Sequence, residues 1–397
     1  MFVDDEAMLL SGLRRMLTGQ PGWELLFAEG GREALRMLAE HPVDIVVADM
    51  RMPGMDGAQL LSTVQERFPG IARIVFSGHS DRDMVMRLVK SAHQFLSKLS
   101  DKETIVAVLE RVHTLRDIFT NTRLRDIITK IDSLPILPNV YLLMVEELER
   151  EDCSLDRAGR ILSADVGLTA GILKTVNSAF FGLPRKITSP EQAAALLGVD
   201  VLKGLVISQA MFGAFDQNRY AGFHLDLLWA HCIRVASFAR SLSVMEYGER
   251  GADDLAFLGG LLHDLGKLAL ADRLPDEFGE ILRLAQTENI TFEQAETKVL
   301  AAGHAELGAY LLGLWGFPEE LVKAVAVHHR PAASPDGQLP LAIVTHVANY
   351  LDHLLVQHNK EYADHPIDAE HIIKMGLLEK LPVWVEICHN LLDEADA

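Results

Sequence analysis

Along residues 1–117, apolar β-branched runs alternate with stretches whose apolar positions recur every three or four residues. A parallel strand buried on both faces reads as a continuous apolar run, whereas a half-buried helix shows the 3.6-residue period. On that basis residues 2–3, 23–28, 43–48, 71–76 and 95–96 are expected as strands. Residues 8–17, 32–38, 58–68, 82–90 and a segment beginning at Asp101 are expected as helices. Five strands separated by helices predict a doubly wound parallel sheet covered on both faces.

From Ile105 the helical period continues through Val108, Leu109, Val112, Leu115, Ile118 or Phe119, Leu124, Ile127, Ile128 and Ile131. An amphipathic helix over 105–131 would suit a homodimer seam or the transmission of rotation. It would equally suit a last helix followed by a packed linker. Leu134-Pro135-Ile136-Leu137-Pro138 breaks the period and marks a boundary. Beyond it the pattern is helical throughout. Ser189-Pro190-Glu191-Gln192 and Thr291-Phe292-Glu293-Gln294 are capping boxes, Pro318 opens another helix, and Gly182 and Gly266 are expected helix ends.

Composition narrows the class. A chain of 397 residues, 49% hydrophobic, has material for two or three cores. Its apolar stretches are too short or too interrupted to span a bilayer, and its opening residues lack the zones of a signal peptide. A cytoplasmic protein without a membrane partner is expected. Cys153, Cys232 and Cys388 are too widely spaced for a metal knuckle and read as buried thiols. Nearly all of the net charge of -19 falls after residue 125. Direct nucleic-acid binding by that part is not expected.

Candidate chemistry gathers at the strand ends. Asp49 closes the run at 43–48 and is followed by Met52-Pro53-Gly54, while Asp4 and Asp5 follow the first short apolar stretch. Ligands of open parallel sheets bind at the carboxyl edge. Three carboxylates meeting there would repel one another and call for a hard divalent cation.

Asp4-Asp5, Asp49, Ser77 and Lys98, each at the end of a different expected strand, together resemble the receiver domain of response regulators. The resemblance implies a flavodoxin-like fold over residues 1–117. It makes Asp49 the phosphoacceptor for a histidine kinase, with Asp4, Asp5 and Asp49 holding Mg²⁺. Ser77 and Lys98 would bind the phosphoryl oxygens, and Phe95 would be the aromatic that turns inward. Two features depart from the pattern. Only three residues precede Asp4, which leaves open a start upstream of Met1, and Leu99 follows Lys98 where receivers usually carry proline.

The second part is rich in histidine. His231, His263-Asp264, His304 and His328-His329 lie on or beside expected helices, where imidazoles and a bridging carboxylate would hold one or two transition metal ions. The same groups would also serve as a buried hydrogen-bonded network. Val176-Asn177-Ser178-Ala179-Phe180-Phe181-Gly182, Leu196-Leu197-Gly198 and Gly260-Leu261-Leu262-His263-Asp264-Leu265-Gly266-Lys267 resemble the HDOD domain, the HD-related output domain of bacterial signalling proteins. So do the segments around His304 and His328, and Leu134 to Pro138.

The continuing apolar period makes 118–131 a helical linker, and the resemblance implies an all-helical domain over 132–397. Residues 132–220 would form an N-terminal lobe and residues 221–397 an HD-like lobe. Relatives that cleave cyclic dinucleotides end their ligand order on Asp, where this chain has Asn349, and carry Gly-Tyr-Pro, which is absent after His329. Asp352, one turn on, is an alternative ligand. The leading expectation is a response regulator whose output is contact with an unidentified protein. The alternative is a phosphorylation-controlled, metal-dependent phosphohydrolase of a nucleotide or cyclic dinucleotide, or a sensor that binds one.

Overall fold

A computed structural model describes residues 1–68, 70–77, 94–98, 100–118, 139–148, 154–181, 186–213, 220, 223–248, 252–300, 302–333, 340–356 and 366–396. The chain divides into two compact units, Met1–Asn139 with Tyr310–Phe317, and Val140–Ala309 with Pro318–Ala397. Among the described residues, no helix is long and apolar enough to cross a membrane.

The first unit runs β1 (Phe2–Val3), α1 (Ala7–Leu17), β2 (Phe27–Ala28), α2 (Gly31–Glu40), β3 (Ile45–Asp49), α3 (Gly57–Arg67), β4 (Ala72–Ser77), β5 (Gln94–Ser97) and α4 (Lys102–Ile118). The strands form one parallel sheet in the order β2-β1-β3-β4-β5. Val46, Val47 and Ala48 are buried, as the unbroken apolar run requires of a central strand. Leu10, Leu13 and Leu17 of α1 and Leu60, Leu61 and Val64 of α3 supply helix faces to the core. On α4, Ile105, Val108, Leu109 and Val112 are buried at the expected spacing. The rest of the proposed 105–131 seam, from residue 119, lies outside the described residues, as do the helix expected at 82–90 and the break at 134–138.

The second strand is shorter than its apolar run. Pairing reaches only Phe2 with Phe27 and Val3 with Ala28, because β1 offers no more than two residues to pair with. Residues 23–26 are therefore loop.

The second unit is helical. Its first helices are α5 (Asn139–Leu148), α6 (Leu155–Ser163), α7 (Val166–Val176) and α8 (Pro190–Gly213). Then follow α9 (Leu225–Tyr247), α10 (Ala252–Leu262), α11 (Leu265–Arg273), α12 (Pro275–Glu288) and α13 (Phe292–Val299). The series ends with α14 (His304–Leu314, its residues from Tyr310 grouped with the first unit), α15 (Glu319–Ala326), α16 (Pro340–Leu355), α17 (Ala369–Lys374) and α18 (Leu381–Asp396). Gly198, at φ +74°, interrupts α8.

The Thr291 capping box forms in full at the start of α13. At α8 the reciprocal bond shifts by one residue: Gln192 N–H donates to Ser189 Oγ, but the Gln192 side chain accepts from Thr188 N–H instead of Ser189 N–H. Pro318 caps α15. The Asn177 amide latches the end of α7 to the strand of chain before α8, exchanging bonds of 2.7 Å with both Ile187 N–H and Ile187 C=O. Ser237 Oγ on α9 donates to Phe180 C=O at 3.0 Å, and the Phe181 and Phe257 rings pack 5.0 Å apart.

Gly266 is not a helix end. It is the second residue of α11, and a Cβ there would lie 1.9 Å from the His304 carbonyl oxygen. The glycine is needed for helix contact, which a sequence pattern of breakers does not distinguish from a stop.

Candidate functional site

Two clusters of metal-binding groups emerge among the described residues, one in each unit. In the first, Val3 lies opposite Ala48, so Asp4 and Asp49, one residue farther on, leave the sheet at the same edge. Both are buried, whereas Asp5 is exposed. Oxygens of Asp4, Asp5 and Asp49 all lie within 4.8 Å of one another. Lys98, just beyond β5, reaches into the cluster, with Nζ 2.8 Å from Asp4 Oδ2 and 2.8 Å from Asp49 Oδ1. Burial works against its charge, but the hydrogen bonds to Asp4 and Asp49 prevail and raise its pKa.

Backbone donors fix the two carboxylates: Glu6 N–H to Asp4 Oδ1 at 2.8 Å and Arg51 N–H to Asp49 Oδ2 at 3.1 Å. Gly57 lets α3 begin against this edge, since a Cβ there would lie 2.3 Å from the Asp49 carbonyl oxygen. Ser77 ends β4 opposite Ser97, and Phe95 pairs with Val75. The side chains of Ser77 and Phe95 lie outside the described part of the structure.

The histidine pocket is assembled from separate helices. Gly260 brings α10 against the backbone of α9, where a Cβ would lie 2.5 Å from Ala236, and Gly259 faces Thr345 of α16 at 2.6 Å. His231 of α9 and the turn carrying His263-Asp264 are thereby juxtaposed, with His231 Nε2 3.2 Å from His263 Nε2. Gly266 performs the same service for His304 at the start of α14. His304 Nε2 lies 3.1 Å from Asp264 Oδ1 and 2.9 Å from His329 Nε2, and His328 Nε2 lies 4.0 Å from Asp264 Oδ1. Asp264, His304, His328 and His329 form one group of convergent donors, and His231, His263 and Asp264 form another. Asp264 belongs to both.

Tautomers can be assigned from partners. A carbonyl only accepts, so His263 Nδ1, 2.7 Å from Gly260 C=O, and His328 Nδ1, 2.7 Å from Val325 C=O, must carry protons. Carboxylates hold the Nδ1 of the other two: Asp352 at 2.6 Å from His231 and Glu296 at 2.7 Å from His304. With Nδ1 the donor on all four rings, the Nε2 lone pairs of the neutral forms point inward. His328 Nε2 is buried and has no hydrogen-bond partner among the described residues. Neutral imidazoles with inward lone pairs, plus a carboxylate, suit a transition metal.

The electrostatics follow from burial. Burial pushes His231 down to about 3 despite Asp352, and it lowers His263 and His328 as well. Asp264 is also penalised by burial, yet Lys267, at 2.6 Å, and the neighbouring His263 hold it well below the usual carboxylate range. His304 is the exception. Burial opposes its charge, but Glu296 outweighs that and pushes it up to about 9.

Comparison with known proteins matches this division. Residues 1–110 match the model of the response regulator receiver domain, and residues 134–331 match that of the HDOD domain. The chain joins a response regulator receiver domain to an HDOD domain. The receiver is similar to that of the DNA-binding transcriptional regulator NtrC of Escherichia coli, 37% identical over 110 residues, 28% of this chain and 23% of NtrC. An HDOD domain protein of unknown function from Geobacter sulfurreducens has the same fold with a TM-score of 0.55 and 24% identity, covering 70% of this chain and 96% of its own. A candidate phosphohydrolase from Shewanella amazonensis gives a TM-score of 0.52 at 25% identity, covering 67% and 94%. The chain spans less than half the length of the curated relatives it matches, 42% and 25% for the first two.

In the HDOD domain, the six residues His231, His263, Asp264, His304, His328 and His329 meet. Asn349 is buried on α16 with its Oδ1 unpartnered among the described residues. Asp352 is engaged otherwise than as a ligand, with Oδ2 on His231 Nδ1 and Oδ1 on Arg234 Nε at 2.7 Å. Sequence reasoning missed Glu296, which is fully buried against His304. Its position inside a helix, eight residues before His304, carries no local signal.

Proposed function

We propose that the protein is a cytoplasmic response regulator with a receiver over 1–117, a linker over 118–131 and an HDOD domain over 132–397. In this reading a histidine kinase phosphorylates Asp49, and the HDOD domain answers through contacts with a protein partner. The observation that carries it is the position of Lys98, whose ammonium bridges Asp4 and Asp49 at 2.8 Å each.

A carboxylate is a weak nucleophile. Mg²⁺ held by Asp4, Asp5 and Asp49 would neutralise charge on the incoming phosphoryl group. Asp49 presents its oxygen at the sheet edge, and Lys98 exchanges that oxygen for the oxygens of the transferred group. Ser77 and Phe95 report the change to neighbouring surfaces. Incubation with acetyl phosphate and Mg²⁺, followed by intact-mass measurement, is expected to give one phosphoryl adduct that is absent from Asp49→Ala. No adduct on the wild-type chain would sink this reading.

Asp264 and the convergent imidazoles are also assigned to bind a transition metal in the HDOD domain. The inward Nε2 lone pairs, His328 Nε2 above all, support this assignment. A metal there would supply Lewis acidity. Metal-dependent hydrolysis or sensing of a cyclic nucleotide is the second reading. It is favoured by Lys267, an ammonium beside the pocket that suits a phosphate, and by the name of the Shewanella relative. Metal-loaded protein that leaves cyclic dinucleotides intact and unbound would eliminate it.

A further inference from the structure

The two halves of the histidine pocket differ in how their carboxylates are balanced. Asp352, which orients His231, is met by the Arg234 guanidinium at 2.7 Å. Asp264 Oδ2 is met by the Lys267 ammonium at 2.6 Å. Glu296 has no such partner among the described residues: its hydrogen bonds there are both from His304, Nδ1–H to Oε2 at 2.7 Å and backbone N–H to Oε1 at 2.9 Å. The pocket is shaped to admit this carboxylate. Gly303 lies directly beneath it, and a Cβ there would fall 2.5 Å from Glu296 Oε2.

Glu296 is fully buried, on a helix whose start is pinned by the Thr291 capping box. A buried carboxylate without a matching cation is costly unless a charge is brought to it. Once His304 is neutral, as a metal ligand must be, Glu296 is left with no cation in contact among the described residues, whereas Asp352 keeps the Arg234 guanidinium beside it.

We infer that Glu296 is a positioning residue that makes the Asp264, His304, His328 and His329 group the first and tighter metal seat, leaving the His231 and His263 group second. This rests on the metal-binding reading given above. Glu296 fixes the ring of His304 with Nε2 inward and adds charge that favours a dication, as outer carboxylates do behind histidine ligands.

The test uses the full-length chain stripped by a chelator and titrated with Co²⁺, whose visible absorption reports coordination. Glu296→Gln, which keeps the shape and removes the charge, is expected to weaken the first equivalent ~10–100-fold. Glu296→Asp should recover part of that loss. Asp352→Asn should leave the first equivalent within about threefold of wild type, since it orients the other seat. Equal weakening by Glu296→Gln and Asp352→Asn, or none by Glu296→Gln, overturns the inference. Should Glu296→Gln fail to fold, His329→Ala and His231→Ala decide instead: loss of the first equivalent only in His329→Ala supports the inference, and loss only in His231→Ala overturns it. Wild-type protein that takes up no Co²⁺ overturns the metal reading itself, whereas uptake with the wrong order of seats overturns only the role of Glu296.

Discussion

The receiver gathers Asp4, Asp5 and Asp49 at a partly open sheet edge and balances them with the Lys98 ammonium, whereas the HDOD domain gathers five imidazoles around Asp264 in a closed interior. Oxygen donors at an accessible rim suit a hard cation that exchanges readily. Nitrogen donors, four of the five with Nδ1 locked by a carbonyl or carboxylate, suit a softer ion held for long periods. Construction differs as well. The acidic cluster needs only strands in parallel register, because Asp4 and Asp5 follow β1 directly and Asp49 closes β3. The histidine cluster needs helices brought to backbone contact by Gly260 and Gly266, and the Thr345 side chain of α16 seated against Gly259.

The sharpest way to break this contrast is at the shared carboxylate. Asp264→Asn should lower metal affinity of the HDOD domain by at least ~100-fold, more than loss of an outer partner does. Phosphorylation of Asp49 should persist. Metal content and intact mass on the same sample would reveal whether the two pockets depend on different chemistry.

Next in size is Gly266→Ala. The added methyl has no room beside the His304 carbonyl, so stability of the HDOD domain should fall by about 3 kcal/mol in urea unfolding. An unchanged midpoint would mean that α11 and α14 do not approach as closely as described.

The metal-free protein should also show a stability optimum in pH. His304 is raised in the folded state to about 9, so its contribution is complete below its unfolded value near 6.5 and lost as pH rises through 9. That loss is on the order of 3 kcal/mol. His231 runs the other way: lowered to about 3, it stabilises above pH 6.5, and that stability drains away as pH falls toward 3. Denaturant titrations in chelator should therefore peak near pH 6.5. A flat profile from 6.5 to 9 would remove the case for a charged His304.

The smallest expected effect is at the Thr291 cap. Thr291→Ala should cost about 1 kcal/mol, because the Gln294 N–H loses its acceptor. By loosening α13 it should also weaken the first Co²⁺ equivalent slightly, whereas no change in either quantity would detach Glu296 from its helix start.

Much of the first unit is legible in its sequence. Strand ends, helix periods and the Asp49 edge follow from local patterns, because a parallel strand buried on both faces must be apolar and its carboxyl end must lead to a loop. The length of β2 is not legible in that way, since pairing depends on how much of β1 is present to receive it. In the helical unit the caps at Thr291 and Pro318 are readable from local chemistry, and so are the histidines as residue types.

The chain by itself thus determined which residues were available for chemistry and which local elements carry them. Only tertiary structure decided that Gly266 serves helix contact, that Asp352 turns to His231 and Arg234, and that Glu296 stands behind His304. The reason is physical. Periodicity and capping are set by neighbours within a few residues, whereas the partner of a buried imidazole is set by which backbones can approach, and a glycine 38 residues from His304 helps to decide that.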